Sequence, residues 1–67
     1  MKIRFNGEIL HLPDFVRTVK DFLEYKEISL KGKAIAVNNQ VIQKSNAEKI
    51  QIKENDNILI ITATQGG

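Results

Sequence analysis

The chain has 67 residues, 42% hydrophobic and 27% charged, with a formal net charge of +2 and no cysteine. A chain of this length makes one domain that buries only about 60% of its unfolded surface, and its composition is that of a globular rather than a disordered protein. The composition excludes disulfide staples, a thiolate nucleophile and cysteine-ligated metals. No N-terminal apolar segment or membrane-length apolar run is present, so the expected compartment is the cytoplasm, with no membrane association. The basic residues are scattered rather than blocked, a pattern that suits an acidic partner but not nucleic acid.

Ile3, Phe5 and Ile9 alternate with Lys2, Arg4, Asn6 and Glu8, the period-two pattern of half-buried strands. Asn6-Gly7 lies between them, and both residue types tolerate positive φ, so residues 2–6 and 8–12 are expected to form an antiparallel hairpin. Pro13 closes the second strand because it has no N–H to give to a ladder. Thr18 is the expected N-cap of a helix, with Asp21 three positions on in a capping-box arrangement; Asp14 is an alternative start. Val19, Phe22, Leu23 and Lys26 fall on one helical face, Lys26 with a stem it can bury. Phe5, Phe15 and Phe22 read as core residues and Tyr25 as partly exposed.

Lys31-Gly32-Lys33 reads as a loop. Ala34-Ile35-Ala36-Val37 reads as a short strand, Asn38-Asn39 as a turn pair and Val41-Ile42 as a stub strand. Residues 43–49 are polar and irregular. Ile50-Gln51-Ile52 alternates briefly, and Glu54-Asn55-Asp56-Asn57 is a turn cluster. The final strand runs from Ile58 to about Ala63. Strands on both sides of a single main helix imply an α+β roll, a mixed sheet packed on that helix.

Ile58-Leu59-Ile60-Ile61 does not alternate. If Ile58 and Ile60 face the helix, Leu59 and Ile61 point the other way, where a chain of this size has no second layer to cover them. Leu59 and Ile61, with Arg4 beside them and Ala36 leaving the surface flat, therefore form a candidate partner-binding patch. Full burial of the strand, or tolerated surface apolar residues, is the plain alternative. The strand leads to Thr62-Ala63-Thr64-Gln65 and then to Gly66-Gly67. Two glycines present a carboxylate with no Cβ to limit close approach, whereas a frayed terminus is the ordinary reading of such an end.

Other candidates carry less chemistry. His11 is the sole histidine and has no orienting partner in sequence. Asp14, Asp21 and Glu24 read as helix-terminus and solvated charges. Asp56 reads as a turn residue, since no second carboxylate at ligand spacing accompanies it. Gly7, Gly32, Gly66 and Gly67 match no nucleotide-binding spacing.

Ala34 to Ile42, the helix start Thr18-Val19-Lys20-Asp21-Phe22-Leu23, the turn Asn55-Asp56-Asn57-Ile58 and the terminal Gly66-Gly67 together resemble the ThiS family, the sulfur carriers of thiamine thiazole biosynthesis. The resemblance extends over essentially the whole chain. It departs at Asn55-Asp56, where the family often has Gly-Asp, and at Thr64-Gln65, where it usually has an apolar pair. The resemblance implies a ubiquitin-like β-grasp domain over residues 1–63 with a flexible tail at 64–67. It also implies a protein that is not itself an enzyme. An E1-like adenylating partner using ATP and Mg²⁺ would activate the Gly67 carboxylate, a sulfur donor protein would convert it to a thiocarboxylate, and a thiazole synthase would consume that sulfur. Gly66 and Gln65 would serve in tail recognition. About five residues beyond the last strand reach roughly 17 Å when extended, enough to thread a deep active site. A molybdopterin-type or other sulfur carrier and a ubiquitin-like conjugation or binding module remain open as alternatives, with a small nucleic-acid binder a third.

Overall fold

A computed structural model of the protein describes residues 1–62. Five strands, β1 (Lys2–Phe5), β2 (Glu8–His11), β3 (Lys33–Val37), β4 (Gln40–Ile42) and β5 (Asn57–Thr62), accompany one α-helix, α1 (Val19–Tyr25), and a 3-10 turn at Lys44–Asn46. The strands form a single mixed sheet in the order β2-β1-β5-β3-β4. The last strand is thus central, parallel to the first and antiparallel to β3. The helix packs on one face of this sheet in a ubiquitin-like β-grasp roll. Among the described residues no helix is long and apolar enough to cross a membrane.

Both hairpins follow from asparagine chemistry. Asn6 and Gly7 take φ of 49° and 86°, and Asn38 and Asn39 take 52° and 70°, the left-handed pair that matches the twist of two antiparallel strands. Each turn sets its register: Phe5 opposes Glu8, and Val37 opposes Gln40. A two-residue turn changes the parity of the inward positions. Leu10, opposite Ile3, therefore faces the helix side, while Ile9 pairs with Arg4 on the other face and is 51% exposed. This corrects the grouping of Ile9 with Ile3 and Phe5.

The helix starts at the expected cap. Thr18 Oγ1 accepts the Asp21 N–H at 3.1 Å, and Asp21 Oδ2 accepts the N–H groups of Thr18 and Arg17, each at 3.1 Å. The helix stops in a Schellman arrangement, with the Ile28 N–H donating to Leu23 O and the Glu27 N–H to Glu24 O. Glu27 fills the left-handed position, φ 56°, usually held by glycine. Because the chain already turns there, Lys26 is the exposed C-cap rather than a residue with a buried stem.

Val19, Phe22 and Leu23 enter a core built with Ile3, Leu12, Val16, Ile35, Val37, Ala47, Ile52 and Ile58. Phe22 meets Phe5 edge to face, with ring centroids 5.1 Å apart. Phe15 is not core: it is 70% exposed and packs edge to face on the half-exposed Tyr25 at 6.0 Å. It lies in the turn before the helix, and Val16 takes the inward position instead. The segment 50–52 clasps the helix start through Val19 N–H to Ile50 O and Ile52 N–H to Arg17 O.

Asp56 is the buried charged residue among those described, and its role is structural, as a turn residue. Its carboxylate accepts Asn38 Nδ2 at 2.9 Å and the Lys53 N–H at 2.7 Å, while Asn38 Oδ1 accepts the Asn57 N–H at 2.9 Å. The β3–β4 turn is thereby tied to the start of β5.

Candidate docking face

The sheet has one face against α1 and one without a covering layer among the described residues. Alternation along β5 puts Ile58, fully buried, on the helix side, and Leu59 and Ile61 on the open side. The β3–β5 register sets Ala36 opposite Leu59 and Ala34 opposite Ile61, and the β3–β4 register sets Val41 opposite Ala36. The open face therefore carries a row Val41–Ala36–Leu59 and, one step along, the pair Ala34–Ile61. Val41 is 61% exposed and Ile61 45%, with Leu59 half-buried.

On the other flank of β5, Arg4 pairs with Asn57 and with Ile9. Lys2 and His11 oppose each other on the same face, and both are exposed. The open face is thus basic toward β1–β2 and apolar toward β5, β3 and β4. Arg4 is exposed, and its guanidinium donates to Gly7 O at 3.2 Å, which folds it back along its own hairpin.

Of the residues expected in the patch, Leu59, Ile61 and Arg4 lie together on this face. Ala36 lies on it too but is only 3% exposed. It stands outside the main core cluster and sits between the larger side chains of Leu59 and Val41 in the register. Its small size lowers the row at that point and offers little contact area of its own. Val41 and Ile9 belong to the face and were missed by the sequence reading. The two-residue turns Asn6-Gly7 and Asn38-Asn39 were the signal that would have located them, because the register of each hairpin follows from its turn length. Gln65, Gly66 and Gly67, and the domain boundary placed at residue 63, lie outside the described residues.

Two carboxylates bear on electrostatics elsewhere. The backbone N–H groups of Arg17 and Thr18 hold the Asp21 carboxyl below its usual range, which suits a capping residue. Glu54 accepts the Lys2 N–H at 3.1 Å. Among the described residues no three His, Cys, Asp or Glu side chains gather as a metal site. A hollow of about 470 Å³ lies on the helix side between Leu23, Ile28, Leu30 and Ala47, with Lys20 and Lys44 at its rim. It converges no set of reactive groups.

The sequence model of the ThiS family matches residues 3–67. The crystal structure of a thiamine biosynthesis protein (ThiS) from Geobacter metallireducens is similar over 100% of both chains, with a TM-score of 0.87 at 16% sequence identity. At that identity the likeness shows the fold. No curated protein matches the chain.

Proposed function

The chain belongs to the ThiS family, and from that premise we propose that it is a sulfur carrier for thiamine thiazole synthesis, a protein co-substrate rather than an enzyme. In this reading residues 1–63 form the carrier domain, and 64–67 form the segment that enters partner active sites. An E1-like adenylating enzyme uses ATP and Mg²⁺ to convert the Gly67 carboxylate to an acyl-adenylate. A sulfur donor protein then replaces the adenylate with sulfur, and a thiazole synthase takes the sulfur from the resulting thiocarboxylate. A free carboxylate is a poor electrophile until it carries a good leaving group, so activation belongs to a partner with a phosphate site.

The observation that carries this reading is the family match from residue 3 to residue 67, which takes in both the open face of β5 and Gly66-Gly67. The geometry supports the division of labour. Leu59 and Ile61 on the central strand and Val41 on the edge strand β4 offer apolar contact, and Arg4 adds a charge for an acidic counterpart. The same strand continues in sequence toward the reacting end, so docking and delivery are coupled through β5. Gly66 gives access to Gly67, and Gln65 contributes to tail recognition.

The test is the intact mass of the chain after incubation with ATP, Mg²⁺, the adenylating partner and a sulfur donor. Replacement of one oxygen by sulfur, localised to the C-terminal fragment, is expected. Localisation matters because oxidation of Met1 adds the same nominal mass. Deletion of Gly67 is expected to abolish loading and leave thermal stability unchanged. Failure to load with the complete set, or loading that survives the deletion, overturns the reading. An isopeptide link from Gly67 to a partner lysine instead favours a conjugation module.

A further inference from the structure

We propose that Asn6 is a positioning residue that holds the outgoing half of β5 in place, an inference that rests on the carrier reading above. β1 runs parallel to β5, but their pairing covers only Arg4 with Asn57 and Phe5 with Ile58. The chain then turns away at Asn6-Gly7, while β5 continues to Thr62. Beyond Ile58, β5 keeps β3 on one edge, through Ile35–Ile60, Ala34–Ile61 and Lys33–Thr62. On its other edge no strand of the described residues follows.

Asn6 occupies the first position of that edge with two hydrogen bonds. Its backbone N–H donates to Ile58 O at 2.9 Å, and its side-chain Oδ1 accepts the Ile60 N–H at 3.0 Å, across 54 positions of sequence. The amide side chain thus stands in for the strand residue that the turn has removed. The turn alone does not require this side chain, because glycine meets a φ of 49° at no steric cost. Asparagine and aspartate meet the turn and also supply the acceptor.

Ile60 lies seven positions before Gly67. If the strand is held on both edges at Ile60, the partner docks onto a segment that is already ordered. With one edge released, ordering is deferred to binding and weakens apparent affinity. The expected signature is therefore a change in the carrier's KM for activation rather than in kcat.

Three chains decide this: wild type, Asn6→Gly and Asn6→Asp. Each is read by amide hydrogen exchange at Ile60 and by pyrophosphate release with the adenylating partner and ATP. Asn6→Gly is expected to exchange Ile60 several-fold faster and to raise KM roughly three- to tenfold, the worth of about one net hydrogen bond, with kcat within about twofold; Asn6→Asp is expected to restore both. Unchanged exchange in Asn6→Gly overturns the clamp. Faster exchange with an unchanged KM overturns the positioning role alone. Should Asn6→Gly fail to fold, Asn6→Asp decides: wild-type KM supports the role, and a raised KM in a folded protein overturns it. If wild type itself releases no pyrophosphate, the carrier reading falls, and this role falls with it.

Discussion

Ala36 sits directly opposite Leu59 across the β3–β5 ladder, on the sheet face away from the helix, and is buried there beneath its larger cross-strand neighbours. The pairing leaves Leu59, on the central strand of the sheet, standing above Ala36 at one end of the row Val41–Ala36–Leu59. If this row docks the adenylating partner, Leu59→Arg weakens that complex by tenfold or more, the scale of a central contact. The variant should keep its fold, because Leu59 is only half-buried and outside the main core cluster. Circular dichroism and a binding titration check both halves. An unfolded variant would place Leu59 in the interior.

The two exposed-looking and buried phenylalanines should respond very differently. Phe22 is fully buried, so Phe22→Ala should cost about 3–5 kcal/mol, a large part of the stability of a small domain. Phe15 keeps one edge-to-face contact with Tyr25, so Phe15→Ala should cost about 1 kcal/mol. Urea denaturation of the two variants side by side tests the assignment.

Glu27 holds a left-handed backbone position and a negative charge at the helix C-terminus, both unfavourable. Glu27→Gly is expected to raise stability by about 0.5–1 kcal/mol after glycine's own entropic cost. A higher urea midpoint with an unchanged slope would show it.

Asn38→Gly keeps the turn's positive φ but removes both the donor to Asp56 and the acceptor for Asn57. Asp56 is buried, and a buried acceptor that loses its partner costs about 1–3 kcal/mol. The melting temperature should fall by several degrees or more, since each kcal/mol is worth about 4–8 °C in a domain of this size. A melting temperature equal to wild type would remove the network from the account of how β5 is anchored.

Asp21 gives a pH-dependent contribution of known sign. The N–H groups of Arg17 and Thr18 favour its ionised form in the folded state and lower its pKa. A depressed folded pKa adds stability above the unfolded value, about 3.9 for aspartate, and that stability is lost as pH falls through the folded value. The stability gap between wild type and Asp21→Asn should be complete at neutral pH and close in acid below the ordinary carboxylate range. Denaturation midpoints measured across that range report it, and a gap that persists in strong acid would assign the effect to something other than this charge.

Local chemistry made much of the fold legible. Asn6-Gly7 and Asn38-Asn39 marked both hairpins because few residues accept positive φ, and Thr18 with Asp21 marked the helix start because each supplies the acceptor the other's backbone needs. The side chains of Leu59 and Ile61 were assigned to the open face from alternation alone, and the ladder agrees. Less was legible where a position depends on distant strands. Phe15 looked like core because it is aromatic, yet Val16 takes the inward place. Ala36 looked available because it is small, yet its neighbours in the sheet enclose it.

What the sequence determined by itself is the set of local commitments: turns, caps, the inward stripe of the helix and the non-alternating run that ends toward Gly66-Gly67. These depend on steric and hydrogen-bonding preferences of neighbouring residues, which are present before the chain folds. Only the tertiary structure decided that β5 runs in the centre of the sheet, that Val41 and Ile9 share the open face with Leu59 and Arg4, and that Asn6 reaches Ile60. Strand order and register bring together residues up to 54 positions apart, and no local preference encodes which of them will meet.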